Sequence, residues 1–117
     1  MKDFDLKQRT KRFALRIIKL FTSLPKSSEA QVIGKQILRS GTSVGAQYRE
    51  ACRSRSNSEF ISKLQSSLQE LDETAYWLEL LVEGEIVGSS RLLELQKETD
   101  ELIAIFVSSV KTAKTNK

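Results

Sequence analysis

Apolar residues recur three and four positions apart along four separate stretches of this chain, and Pro25 is the one proline in 117 residues. Spacing of that kind lines side chains along one face of a helix, and no segment alternates apolar with polar residues as a half-buried strand does. An all-α fold follows. A helix with one apolar stripe must bury it against another helix, so the four stripes have to meet each other.

Leu6, Thr10, Phe13, Ile17, Phe21 and Leu24 place a first helix over about Leu6 to Phe21, and Pro25 stops its propagation. A second should begin at Ser28, where Ser28-Glu29-Ala30-Gln31 has the capping-box pattern. It continues to about Arg53, with Ile33, Ile37, Val44, Tyr48 and Ala51 facing inward. Gly34, Gly41 and Gly45 flank that stripe. Each costs about 1 kcal/mol of helix propensity, so their grouping implies a close approach by another backbone or, alternatively, a break near Ser40 to Thr42. A second capping box, Ser56-Asn57-Ser58-Glu59, announces a third helix reaching about Glu83, with Phe60, Leu64, Leu68, Leu71, Ala75, Leu78 and Val82 on one face. After a short turn over 85–89, Leu92, Leu95, Thr99, Ile103, Phe106 and Val110 mark a fourth. Lys111 to Lys117 reads as a flexible basic tail. Helices of similar length with short connections pack antiparallel to their sequence neighbours, which predicts one domain over 1–117, an up-down-up-down four-helix bundle.

Composition removes most chemistry. There is no histidine, and Cys52 is the only cysteine. Ser-His-Asp and Cys-His nucleophiles, Cys-based zinc sites and CxxC redox pairs therefore cannot be assembled. Cys52 is expected as a small buried apolar residue. Ser40-Gly41-Thr42-Ser43 lacks the GK[ST] of a phosphate loop and any base to activate a serine, so it reads as small residues at a close helix crossing. Glu50 with Glu59, or Glu70 with Glu73, would be an acid pair without the Glu-x-x-His motif of carboxylate metal bundles. Glu50 is more simply an ion pair with Arg53. No enzyme activity, metal or cofactor is expected. No stretch approaches the ~20 apolar residues of a membrane span, and the N-terminus lacks a signal-peptide core, so the expected location is the cytoplasm.

Charge is unevenly placed. Residues 1–55 carry thirteen Lys or Arg against four Asp or Glu, and residues 56–88 carry one against seven. On the second helix Lys35, Arg39, Arg49 and Arg53 share one sector opposite the apolar stripe, a line about 27 Å long at 1.5 Å per residue. Arg9, Arg12, Arg16 and Lys19 make a similar line on the first. Arginine forks suit phosphate oxygens, so Arg12, Arg16, Lys35, Arg39, Arg49 and Arg53 are the candidate nucleic-acid contacts. A solvated face or a subunit interface would use the same residues. On the third helix Glu70, Glu73, Trp77, Leu80 and Leu81 lie off the apolar stripe and form a candidate subunit interface, whose glutamates could meet arginines of a neighbouring copy.

The segments RSGTSVGAQYREACRSRSNSEFISKL and LDETAYWLELL resemble the four-helix-bundle family that includes the proteins encoded in intervening sequences of bacterial 23S rRNA genes. The resemblance covers Pro25 to Glu83 closely and the outer helices loosely. It implies an up-down bundle assembled as a homopentameric ring. The family is similar to the accessory variability proteins of diversity-generating retroelements, which implies RNA or DNA, and a reverse transcriptase, as candidate partners. For most of the family it implies no established activity.

Overall fold

The computed structural model describes residues 6–116, and all four of its elements are helices: α1 (Leu6–Ser23), α2 (Ser28–Cys52), α3 (Asn57–Glu83) and α4 (Ser89–Thr115). Sequence neighbours pack together, α1 on α2, α2 on α3 and α3 on α4. The all-α bundle expected from the apolar spacing is therefore the fold. Phe13, Ile17, Ile37, Val44, Leu64, Leu71, Leu78, Leu102 and Phe106 fill its axis with almost no exposure.

Local signals explain the boundaries. Ser56 accepts from the Glu59 amide (3.1 Å), as the capping box requires, while the Glu59 carboxylate reaches past Ser56 to the Arg55 amide (3.0 Å). At α2 the cap is Ser27 and not Ser28. The Ser27 hydroxyl accepts from the Ala30 amide and its carbonyl from the Gln31 amide, while the Gln31 side chain donates to the Pro25 carbonyl. The helix still begins at Ser28, as expected, and its first turns bury Ala30 and Gly34. After α3, Glu85 takes the left-handed backbone (φ 60°) that closes the turn, with the Ile86 and Val87 amides both on the Leu81 carbonyl.

α2 runs unbroken through Ser40 to Thr42, because its glycines are spaces that α1 fills. A Cβ on Gly41 would lie 2.7–3.0 Å from three carbons of Ile17, one on Gly45 3.0 Å from the Thr10 hydroxyl, and one on Gly34 2.6 Å from Leu24. The side facing α3 is equally tight. Ser40 and Thr74 share a buried hydroxyl–hydroxyl bond (2.7 Å), and the Ser67 hydroxyl donates to the Val44 carbonyl (3.1 Å). Small residues at a close crossing is thus the right reading of Ser40-Gly41.

That crossing also shifts the stripe on α3. Ile61, Ser67, Thr74 and Leu81 are buried beside Leu64, Leu71 and Leu78, whereas Phe60, Leu68, Ala75 and Val82 are only partly so. Ser67 and Thr74 are the residues bonded to α2 at this crossing, while Phe60 and Ala75 line cavities with residues of α4. Two further expectations are corrected. Lys111 to Thr115 is helical, because Val110 and Ala113 are buried and the Asn57 side chain donates to the Ala113 carbonyl (2.9 Å); Lys117 lies outside the described residues. Cys52 is exposed, since the last turn of α2 buries Ala51 instead.

Candidate nucleic-acid interface

The six candidate cations divide in three. Arg39 is already engaged: its guanidinium donates to Glu70 (3.0 Å) and to Glu73 across the α2–α3 seam, and the Glu73 bond first, then the Glu70 bond, holds it above the ordinary arginine range. The opposite charges expected to meet between copies meet here within one chain. Glu70 and Glu73 still border Trp77 and Leu80 on this seam. The Trp77 ring packs edge-on to Tyr76 (5.2 Å), and its indole N–H is buried with no acceptor among the described residues. Leu81 does not join them. It is fully buried, because the stripe of α3 is shifted by one position from the spacing read in the sequence.

Lys35, Arg49 and Arg53 form the second group, on the outer crest of α2 with no ion pair among the described residues. At its end a shallow cleft of about 420 Å³ gathers Arg53, Arg55 and Lys63 with Glu50 and Glu59. Glu50 is bound there by the Lys63 ammonium at 2.8 Å, so its ion pair crosses the loop instead of joining Arg53 along the helix. That bond is the first cause holding Glu50 below the usual carboxylate range and Lys63 above the usual amine range; the Arg53 charge adds a smaller pull on Glu50.

Arg12 and Arg16 make the third group, on the side of α1 that faces α4. Arg16 lines a cleft of about 310 Å³ with Lys19, Ser23, Arg91 and Glu94 over a floor of Leu20, Leu92 and Leu95. The Arg91 guanidinium donates to the Ser23 hydroxyl (3.0 Å), which holds its fork across the α1–α4 seam. Neither Arg16, Lys19 nor Arg91 has a carboxylate within ion-pair distance among the described residues. Sequence reasoning missed Arg91, since it is a lone cation in the first turn of α4 and only packing places it beside α1. Further along the seam from Arg16 the pattern ends: Arg9 is locked by Glu98 (2.8 Å) and Glu101 (2.6 Å) and belongs to the scaffold. Its guanidinium is held above the ordinary range chiefly by the Glu98 bond.

Nothing comparable to a reaction centre accompanies these cations among the described residues. A cavity of about 600 Å³ at the end of the bundle is lined by Leu6, Tyr48, Phe60, Leu64, Ile105 and neutral polar residues of α4. Among the described residues no helix is long and apolar enough to cross a membrane, and no three Asp, Glu or Cys side chains converge as a metal site would require.

The profile of the 23S rRNA-intervening sequence proteins matches residues 2–108. The chain belongs to that family. Its fold is also close to a crystal structure from Bacteroides thetaiotaomicron, described as a protein of unknown function from the S23 ribosomal protein family. The two are 40% identical, with 95% of this chain and 99% of that one covered, at a TM-score of 0.88. A comparison with curated proteins finds no match. The intervening-sequence family thus accounts for the bundle and leaves its activity open.

Proposed function

We propose that this intervening-sequence protein is a non-enzymatic, self-associating helical scaffold of the bacterial cytoplasm that holds RNA or DNA by the phosphate backbone. One observation carries the reading: Arg39 is neutralised by its own chain, whereas Arg12, Arg16, Lys35, Arg49 and Arg53 lie at the surface without a carboxylate partner among the described residues. Cations left unpaired on a folded surface are available to a polyanion, and guanidinium forks suit phosphate oxygens. Arg91 and Lys19 extend the α1 group. The contact proposed is to phosphate oxygens, which carry no sequence information directly, so binding should be independent of sequence. Self-association, as a closed ring of five by family resemblance, is supported by the large apolar residues left exposed, Leu15, Ile18, Val32, Tyr76, Leu93 and Val107.

The test is fluorescence anisotropy of labelled single-stranded RNA and duplex DNA of unrelated sequences over a salt series. Affinity should fall with salt at a log-log slope of about −0.7 to −0.9 per phosphate contact. Arg49→Gln with Arg53→Gln, and separately Arg16→Gln with Arg91→Gln, should each flatten that slope by about one unit per lost contact for every sequence alike. Absence of binding to either nucleic acid at low salt would sink the proposal.

A further inference from the structure

Two separate faces of the bundle are complementary in charge, and each carries apolar residues that the monomer leaves in water. On α1, helical spacing of 100° per residue brings Lys7, Lys11, Leu15 and Ile18 within about 80° of arc. All four are exposed or nearly so, Leu15 at 55% and Ile18 at 42%, and neither lysine has an ion pair among the described residues. On α3 the same spacing brings Asp72, Tyr76, Glu79 and Glu83 within about 60°. Again all four are exposed, Tyr76 at 54%, and none of the carboxylates is ion-paired among the described residues. α4 continues that face across the seam: Asp100 and Glu79 line one small cavity, and Leu93 and Val107 stand exposed on the same side of the helix as Asp100.

We propose that the α1 face of one copy docks on the α3–α4 face of the next, so that Leu15 and Ile18 are buried against Tyr76 and its apolar neighbours on α4 while Lys7 and Lys11 meet Asp72 and Glu79. The occupant is a second copy of this chain because the complement is on the chain itself. A basic apolar patch and an acidic apolar patch of similar breadth lie on α1 and α3, helices that are not packing partners in the bundle. Such a contact is heterologous, with different surfaces on the two partners, and repeats until it closes. The α2–α3 seam, where Trp77 and Leu80 lie, is the weaker candidate. Arg39 already engages both Glu70 and Glu73 there, so less charge is left to select a partner than on the unpaired Asp72, Glu79 and Glu83. Docking through α1 also leaves the Arg16–Lys19–Arg91 cleft on a different side of α1, open to solvent.

This inference rests on the self-association proposed above and adds which faces meet. Multi-angle light scattering of the purified protein at micromolar concentration should give a multiple of the 13.3 kDa chain. Lys7→Glu with Lys11→Glu should lower that mass, and so should Asp72→Lys with Glu79→Lys. The chain carrying all four reversals should recover it, because the complementarity is restored with its sign exchanged. Circular dichroism should stay helical throughout, since every altered side chain is exposed. A monomeric wild type would overturn both self-association and the face assignment. An oligomeric wild type whose mass survives either pair of reversals, or a fourfold variant that does not reassemble, would overturn the face assignment alone.

Discussion

Gly41 shows how one missing methyl group sets the distance between two helices. Its Cβ would meet the Cγ1, Cγ2 and Cδ1 carbons of Ile17, a branched and fully buried side chain that has nowhere to retreat. At Gly34 the nearest atom is instead a terminal methyl of Leu24. Overpacking a core costs about 1–3 kcal/mol, and replacing glycine within a helix returns about 1 kcal/mol of propensity. Gly41→Ala should therefore lower the melting temperature by several degrees, and Gly34→Ala by less. Thermal denaturation followed by circular dichroism checks the order; a Gly41→Ala protein as stable as wild type would show that α1 can yield at this position.

Between elements, an arginine shared by two glutamates recurs on two seams, Arg39 between α2 and α3 and Arg9 between α1 and α4. α2 packs on both its neighbours through small residues, with buried hydroxyl bonds on the α3 side, whereas Arg9 bridges α1 to Glu98 and Glu101 of α4. Hydrogen bonds to charged groups contribute roughly 1.5–3 kcal/mol when enclosed. Arg9 is 27% and Glu101 65% exposed, so Arg9→Gln should cost nearer to about 1 kcal/mol after solvent screening. The pH sign follows from the raised guanidinium: on the arginine side the contribution is present at every pH below the ordinary arginine value and lost only above it. The difference in melting temperature between wild type and variant should thus persist from neutral to alkaline pH, and its loss below the ordinary arginine value would contradict this account. The pairing of the first and last helices is illegible in sequence for a related reason. Nothing in Arg9 or Arg91 says which acid or hydroxyl lies across the seam, and Arg9 stands in sequence like the other cations of its row.

For the whole molecule, the two proposals assign the dipolar charge distribution two uses on separate surfaces. Lysines of α1 and acids of α3 and α4 suit a neighbouring copy, while the cations beside α4 and along the crest of α2 stay free for a polyanion. If both uses operate, the assembly binds a long strand at several subunits together, and avidity multiplies weak contacts by roughly 10²–10⁴. Leu15→Ser with Ile18→Ser removes no charge, so it separates the two. The dissociated variant should lose affinity for an RNA of several tens of nucleotides far more than for an oligonucleotide short enough to meet one subunit. Equal losses on long and short RNA would show that the subunits do not share a strand.

Helix number, the caps at Ser56 and near Ser27, the glycines as a contact with another helix, and the absence of histidine- or cysteine-based nucleophile chemistry are properties of local spacing and residue type, which the amino-acid sequence by itself determines. Which side of each helix faces which neighbour is decided only by tertiary packing. Periodicity places Leu68, Ala75 and Val82 inward, whereas the fold buries Ser67, Thr74 and Leu81, with Thr74 and Ser67 hydrogen-bonded to Ser40 and Val44 of α2. Arg39 reads like Arg49 and Arg53 along the chain, yet of the three only Arg39 lies opposite two glutamates. Spacing along one helix defines a face; the partner of that face depends on residues tens of positions away, and those meet only when the bundle closes.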